Sequence, residues 1–303
     1  TLDDKRLAEH SQNINTNFEK RTQSGGPMKP EYKERCLRAI GIMDEKGLKK
    51  IQSTSIAIGG LGLGGSIFLN LIRMGFEKFH VSDPDVFERT NINRQRGAKE
   101  NSIGKRKDDT LLAEALQINP DVQVRLFRDG INSSNVQNFL KGIDWVVDVV
   151  DVFALNEKLA LHQEAARRKL PVVSCGAFGF GAAVVCFDQS TPSFQELSGL
   201  EPSLPYEVNI QRFLQFLCPQ IPSYMQEQLA KAMNRTSYIP FVVPGVEISA
   251  ACAVTEISKQ ILNIGKQVRA PQGIYIDPVQ LKIEIFEAHY DAREFDFHRK
   301  QAA

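Results

Sequence analysis

Three glycines, Gly59, Gly62 and Gly64, lie in the run Gly59-Gly60-Leu61-Gly62-Leu63-Gly64-Gly65, between a short apolar stretch and a segment with helical spacing. At a strand-to-helix turn, glycine lets the backbone come close to a phosphate, and the N–H groups of the helix start supply positive potential. Many such turns are merely tight, so the run needs a second signal. Asp83 supplies it. This acid closes the next apolar stretch, nineteen residues after Gly64, where nucleotide-binding α/β folds place a carboxylate against ribose hydroxyls. The plainer alternative has Asp83 capping its loop with Pro84.

The residues that follow suit a polyphosphate. Thr90-Asn91-Ile92-Asn93-Arg94-Gln95 comes first, then Gly104-Lys105-Arg106-Lys107 at the expected start of a helix. An arginine can fork two phosphate oxygens, whereas a lysine is a compact charge. Arg94 and Lys107 are therefore the candidate cations, with a solvated face as the alternative for both. Further on, Asp148 and Asp151 flank Val149-Val150. An acid at the carboxyl end of a parallel strand lies over the crevice and can hold Mg2+. Asp151 is the better metal candidate; Asp148 is expected to face solvent or end the strand.

Such residues need a scaffold that gathers strand ends. Apolar periodicity predicts strands over 55–58, 78–82, 122–127, 144–150 and 171–174, alternating with helices over 66–74, 107–118, 133–140 and 154–168. This alternation predicts a mostly parallel sheet with helices on both faces. Residues 1 to about 30 read as a mobile arm, and one or two short helices follow within 30–51. Beyond Gly176 come a glycine-laced β segment over 177–188 and a proline-containing crossover from Gln189 to Pro244, expected to cover substrate. Helices over 208–216, 224–233 and 246–262 and strands over 273–276 and 281–286 close the chain. The expected division is an arm with helices (1–50), a nucleotide-binding region (51–188), and a crossover with helices and strands (189–303) that completes the same domain.

Apolar residues make up 42% of the 303 and charged residues 24%, which places the chain among globular rather than disordered proteins. Lys and Arg number 37 against 36 Asp and Glu, a net charge of +1. No global basic field exists, so nucleic acid is not an expected partner. With no apolar run of about 18 residues and no leader-type segment, no membrane partner is expected and the location is read as cytoplasmic. The five cysteines, Cys36, Cys175, Cys186, Cys218 and Cys252, include no CxxC pair. A reduced chain without structural zinc follows.

The ordered series from the glycine loop through Asp83, Asn91, Arg94, Gln95 and Lys107 to Asp151 resembles the ubiquitin-activating-enzyme-like superfamily, the ThiF/MoeB/HesA adenylyltransferases. Thirteen residues separate Arg94 from Lys107, and forty-four separate Lys107 from Asp151; the likeness covers roughly residues 35–188. It implies an α/β, Rossmann-like doubly wound sheet, mostly parallel, with a C-terminal β/α extension. It also implies ATP and Mg2+, with a substrate carboxylate attacking the α-phosphate to give an acyl-adenylate and pyrophosphate. By resemblance Gly59, Gly62 and Gly64 would cradle phosphates and Asp83 would hold the ribose. Asn91 and Arg94 would bind phosphates with Gln95 beside them, Lys107 the α-phosphate region, and Asp151 the Mg2+. Arg35, twenty-seven residues before Gly62, stands where the family places an arginine that reaches the nucleotide of a partner subunit. Arg38 is its rival, and a homodimer follows if either acts that way.

Some positions depart from the family pattern. Leu61 stands where glycine is usual, so the loop is expected to sit further from the phosphates or to use Gly60; Val152 follows Asp151 where asparagine is common, and the paired zinc cysteines are missing. Cys218 lies in the crossover, where some relatives carry a thioester cysteine, but nothing nearby signals activation; Cys175 and Cys252 read as core. The favoured function is activation of a carboxylate on a peptide or small ubiquitin-like protein, with peptide natural-product maturation preferred because zinc and thioester signatures are absent. The alternatives are a threonylcarbamoyladenosine dehydratase-like cyclase acting on tRNA and a catalytically silent nucleotide-binding scaffold. NAD-dependent oxidoreduction comes last, since it leaves Asn91 and Arg94 without a task.

Overall fold

In the computed structural model, which describes residues 28–218, 221–233 and 239–291, two short helices come first. A proline opens α1 (Pro30–Arg35), and Asp44 caps α2 (Glu45–Ser53) by accepting from the Gly47 N–H at 2.7 Å. The arm expected before them lies, through residue 27, outside the described residues. Then β1 (Ser55–Gly59) runs into α3 (Gly64–Arg73), and β2 (Lys78–Ser82) leads to α4 (Lys107–Ile118). The alternation continues through β3 (Gln123–Phe127), α5 (Val136–Phe139), β4 (Trp145–Asp148), α6 (Leu155–Arg167) and β5 (Val172–Phe178). After β6 (Gly181–Phe187), the crossover holds α7 (Phe194–Ser198), α8 (Tyr206–Leu217) and α9 (Gln226–Met233). The long α10 (Val243–Leu262) precedes the hairpin of β7 (Gln272–Asp277) and β8 (Lys282–Glu287).

These strands form one sheet in the order β3-β2-β1-β4-β5-β6-β7-β8. Pairings among β1 to β5 are parallel; those joining β5, β6, β7 and β8 are antiparallel. The expected α/β sheet with its C-terminal extension is thus present. Because β1 lies between β2 and β4, the strand order reverses there. Doubly wound sheets bind ligands outside the carboxyl ends of the strands at such a switch point, which here lies between β1 and β4.

Strand β1 is buried at every position. Ile56 and Ile58 join a core with Phe68, Leu71 and Ile257, while Ala57 joins the opposite core with Phe139, Leu161 and Leu214. Burial on both faces is why this strand reads as an unbroken apolar run. Each such large side chain contributes about 1.5–3 kcal/mol when fully buried. Helix α10 packs against β5, β6 and α3, so a C-terminal element covers the same face as the glycine-loop helix.

Three regions that bear on the site differ from the sequence expectation. Strand β4 ends at Asp148, two residues before its predicted end. Strand β5 runs four residues past its predicted end, because Cys175 to Phe178 pair in antiparallel register with Val184 to Gly181. The crossover is also more regular than its prolines imply. A capping box between Ser193 and Glu196 starts α7, and a bridge between Gly179 and Phe241 docks the returning chain on the β5–β6 turn.

Candidate nucleotide site

The left-handed position of the glycine loop belongs to Gly60, the alternative that Leu61 left open. Its φ is +89°, and a Cβ there would sit 2.5 Å from the Val149 carbonyl oxygen. Only glycine lets this loop press against the end of β4. Leu61, the departure from the family pattern, is fully buried in the core, while its N–H donates to Asp83 Oδ2 at 2.6 Å. Gly62 lies against Gln95: a Cβ on Gly62 would be 3.2 Å from Gln95 Nε2. Gly59 packs on Ile131 and Val150, and Gly64 on Ile58 and Val149. Gly64 also opens α3, whose next N–H groups are already engaged: Gly65 donates to the Leu61 carbonyl at 3.1 Å, and Ser66 and Ile67 donate to that of Leu63. The positive end of the helix dipole still favours an anion there.

Asp83, at the end of β2, is 4% exposed. Its second oxygen accepts from the Asp85 N–H at 2.9 Å. Burial raises its carboxyl above the ordinary value, opposed by Lys107 and by the N–H groups of Asp85 and Leu61. Lys107, itself buried at the start of α4, lies 2.9 Å from Asp85 Oδ2 and 3.9 Å from Asp83 Oδ1. Asp83 and Lys107 are therefore brought together, and Asp85, the second acid of an Asp-x-Asp pair to which sequence reading gave no role, is the partner of Lys107. Its signal was the Asp-Pro-Asp spacing itself.

Asn91 organises the next segment. Its Oδ1 accepts from the Glu88 N–H at 3.0 Å in a reciprocal cap that starts a 3-10 turn over Arg89–Asn91. The Asn91 carbonyl then receives the N–H groups of Arg94 and Gln95. Arg94 bonds only neutral acceptors among the described residues, the Thr90 carbonyl at 2.7 Å and Asn93 Oδ1 at 2.9 Å. Its guanidinium carbon lies 4.7 Å from the Phe241 ring centroid, and its Nε is buried without a hydrogen-bond partner. Burial lowers its pKa from the ordinary value. A half-buried cation with neutral neighbours is prepared for an anion.

The two acids after β4 have different fates. Asp148, expected to face solvent or end the strand, does end β4 and is completely buried. It accepts from Lys158 Nζ at 2.8 Å with both oxygens, pairs with His162 Nε2 at 2.8 Å, and accepts from Ser174 Oγ at 2.9 Å. Burial pushes this carboxyl up, but Lys158 and His162 overcome it and hold it well below the usual range. The same burial lowers His162, against the pull of Asp148. Asp151 is exposed, and one oxygen accepts the Phe153 N–H at 3.1 Å. Beside it Phe153 stacks on Tyr206, with ring centroids 5.3 Å apart.

Among the described residues, no three His, Cys, Asp or Glu side chains gather into a metal cage. Mg2+ does not require one, since it commonly binds through one or two carboxylates plus substrate phosphates and keeps several waters. The exposed Asp151 fits that mode, and the fully engaged Asp148 does not.

Sequence reading missed Glu247. It accepts from Ser66 Oγ at 2.9 Å and from Arg96 Nη2 at 2.8 Å, tying the N-terminal part of α10 to the first turn of α3 and to the segment that carries Arg94. No local pattern could reveal a contact between residues 181 apart.

Arg35 is not brought to this cluster within the chain. Its Nη2 lies 3.4 Å from Asp121 and 3.9 Å from Glu77, next to the starts of β3 and β2 rather than their carboxyl ends. Arg38 is exposed on a following 3-10 turn. Cys218, 5% exposed, is buried in the second core, and burial pushes the Cys175 thiol up to about 12. Buried thiols of this kind are poor nucleophiles. No described helix is long and apolar enough to cross a membrane.

The fold and this cluster define a nucleotide-binding, Rossmann-like α/β protein. The ThiF family model matches residues 34–294, and the chain belongs to the ThiF family. Over 138 residues it is 30% identical to a tRNA threonylcarbamoyladenosine dehydratase of Bacillus subtilis, covering 45% of this chain and 52% of the relative. Over 116 residues it is 34% identical to a SAMP-activating enzyme E1 of Haloferax volcanii, covering 37% and 43%. The chain spans about half the length of the curated relatives it matches. Among solved structures, Escherichia coli MccB crystallised with MccA is similar at a TM-score of 0.66 and 18% identity, over 88% of this chain and 73% of that one. PaaA is similar at 0.65 and 17%, over 93% and 83%. At these identities the likeness is one of fold.

Proposed function

We propose that this protein is an ATP-dependent adenylyltransferase that activates a carboxylate of a peptide or small protein and releases pyrophosphate. Arg94 carries the reading: a half-buried cation bonded only to neutral acceptors among the described residues, on a segment packed against the glycine loop through Gln95 and Gly62. In this reading Asp83 receives the ribose, and Lys107 exchanges Asp85 for a phosphate oxygen. A carboxylate oxygen of the substrate attacks the α-phosphorus, the bond to the bridging oxygen breaks, and pyrophosphate leaves. The product is a mixed anhydride of the substrate and AMP. Because a carboxylate is already ionised at neutral pH, the step needs fixed positive charge at the α-phosphate and leaving group more than a base. Mg2+ held through Asp151 would shield the triphosphate from its own charge.

The fold shared with MccB, which has been crystallised with ATP and with MccA, supports ATP as the nucleotide and leaves room for a second molecule as the carboxylate donor, and the homodimer that the resemblance implies supports Arg35 acting across subunits. The absence of CxxC pairs supports an enzyme without structural zinc, and the composition supports a cytoplasmic one. Exchange of labelled pyrophosphate into ATP, dependent on a candidate peptide, tests the reading; a protein that binds ATP but never exchanges label would overturn it.

A second reading has its own support. Three of the curated relatives are tRNA threonylcarbamoyladenosine dehydratases, which favours activation of a carboxylate on a modified tRNA. The near-zero net charge counts against it. Binding to tRNA over a salt series separates the two, because phosphate contacts predict a steep loss of affinity as salt rises.

A further inference from the structure

We infer that Lys158 is a positioning residue for Asp151, setting where the Mg2+ carboxylate stands; this rests on the reading of Asp151 given above. Lys158 is only 2% exposed. Its Nζ holds both oxygens of Asp148 at 2.8 Å and, with a third bond of 2.8 Å, the carbonyl oxygen of Val150. That carbonyl belongs to the same peptide unit as the Asp151 nitrogen. The Val150 N–H in turn donates to Asp148 Oδ1 at 3.2 Å. Both peptide groups of Val150 are thus captured by one buried ion pair.

The pair is itself immobilised. His162 and Ser174 occupy Asp148 Oδ2, and the rings of Phe194 and Phe213 lie 5.7 Å from the ammonium. On the opposite side the loop is pressed on Gly60, where a Cβ would lie 2.5 Å from the Val149 carbonyl. A lysine makes this arrangement possible because its ammonium directs three separate donors. An ion pair needed only for packing would have no reason to spend one donor on the carbonyl before Asp151.

Removing Lys158 alone would leave Asp148 buried without its cation, so a variant that fails to fold is a foreseeable result. Two variants avoid it. Asp148→Asn with Lys158→Met removes both charges, and Lys158→Arg keeps the charge but presents a planar fork in place of the ammonium. ATP binding is measured by calorimetry in EDTA and over a Mg2+ titration, with amide hydrogen exchange followed at residues 149–153. The inference expects wild-type affinity in EDTA, about ten-fold more Mg2+ needed for half-maximal enhancement, and faster exchange at Asp151, in the folded double variant and in Lys158→Arg. Wild-type Mg2+ dependence in either folded variant overturns it. Asp151→Asn is the parallel arm: if it too keeps wild-type Mg2+ dependence, the metal reading of Asp151 falls and takes the inference with it. If Asp151→Asn loses that dependence while the Lys158 variants keep it, only the inference falls.

Discussion

Leu61 and Asp83 are joined by a 2.6 Å hydrogen bond from main-chain nitrogen to carboxylate. The acid at the end of β2 therefore shapes the loop at the end of β1, in addition to any ligand it receives. Shape and binding draw on the same buried charge, and they oppose each other.

Burial raises the Asp83 carboxyl above 3.8. A raised folded value favours the native state most below the unfolded pKa, and that contribution is lost as pH rises through the folded pKa. At neutral pH the ionised Asp83 is thus a cost to stability. Asp83→Asn keeps an acceptor for Leu61 and is expected to melt above wild type at pH 7, with the gap closing towards pH 4. ATP affinity should fall about 10-fold or more, as for a lost bond to a charged group. Calorimetric melts across pH, paired with ATP titrations, decide it; a variant that melts below wild type at pH 7 contradicts the account.

Arg94→Ala should fold normally. It loses a contact with Phe241 of about 0.5–1 kcal/mol, and no described carboxylate is left without a partner. Pyrophosphate exchange should drop about 10²- to 10³-fold, the effect of removing one fixed charge-stabilising group. Exchange at wild-type rate would strip Arg94 of its assigned role.

Asp148→Asn should weaken the fold instead. Burial opposes the ionised carboxyl, but Lys158 and His162 hold its pKa well below 3.8. A depressed folded value means stability that is present above the unfolded pKa and lost as pH falls through the folded one. Urea unfolding at pH 7 and pH 5 should show a loss of about 3–5 kcal/mol, because Lys158 is left buried without its anion. The gap from wild type should narrow only below about pH 4; equal midpoints at pH 7 would refute it.

Arg35 is tested by mixing. If it serves the partner's nucleotide, Arg35→Ala and Arg94→Ala each inactivate a homodimer. A mixed dimer then restores one intact site, one subunit lending Arg35 and the other Arg94. Random mixing should recover about a quarter of wild-type exchange, half the dimers being mixed and half their sites intact. No recovery would confine Arg35 to its ion pair with Asp121.

Much of this was legible in the sequence because the cues are local. The strand-to-helix glycine run, Asp83 at a strand end and Lys107 opening a helix all follow from apolar periodicity, and the central parallel strands announced themselves as short unbroken apolar runs. What stayed hidden depends on contacts between distant segments. Gly60 is required by the Val149 carbonyl from β4's far end, which no spacing rule reports. Asp148 does end β4, but its burial stayed hidden because its partners Lys158, His162 and Ser174 arrive from two later elements. The 3-10 turn at Arg89–Asn91 is built by a side-chain cap too short to leave a periodic trace.

Glu247 gives the architecture a practical consequence. A fragment ending after β6 would retain every member of the ordered series from Gly59 to Asp151, and would still lack the strut that fastens α3 to the Arg94 segment. The stretch of sequence that advertises the site is shorter than the stretch of protein needed to keep it in shape.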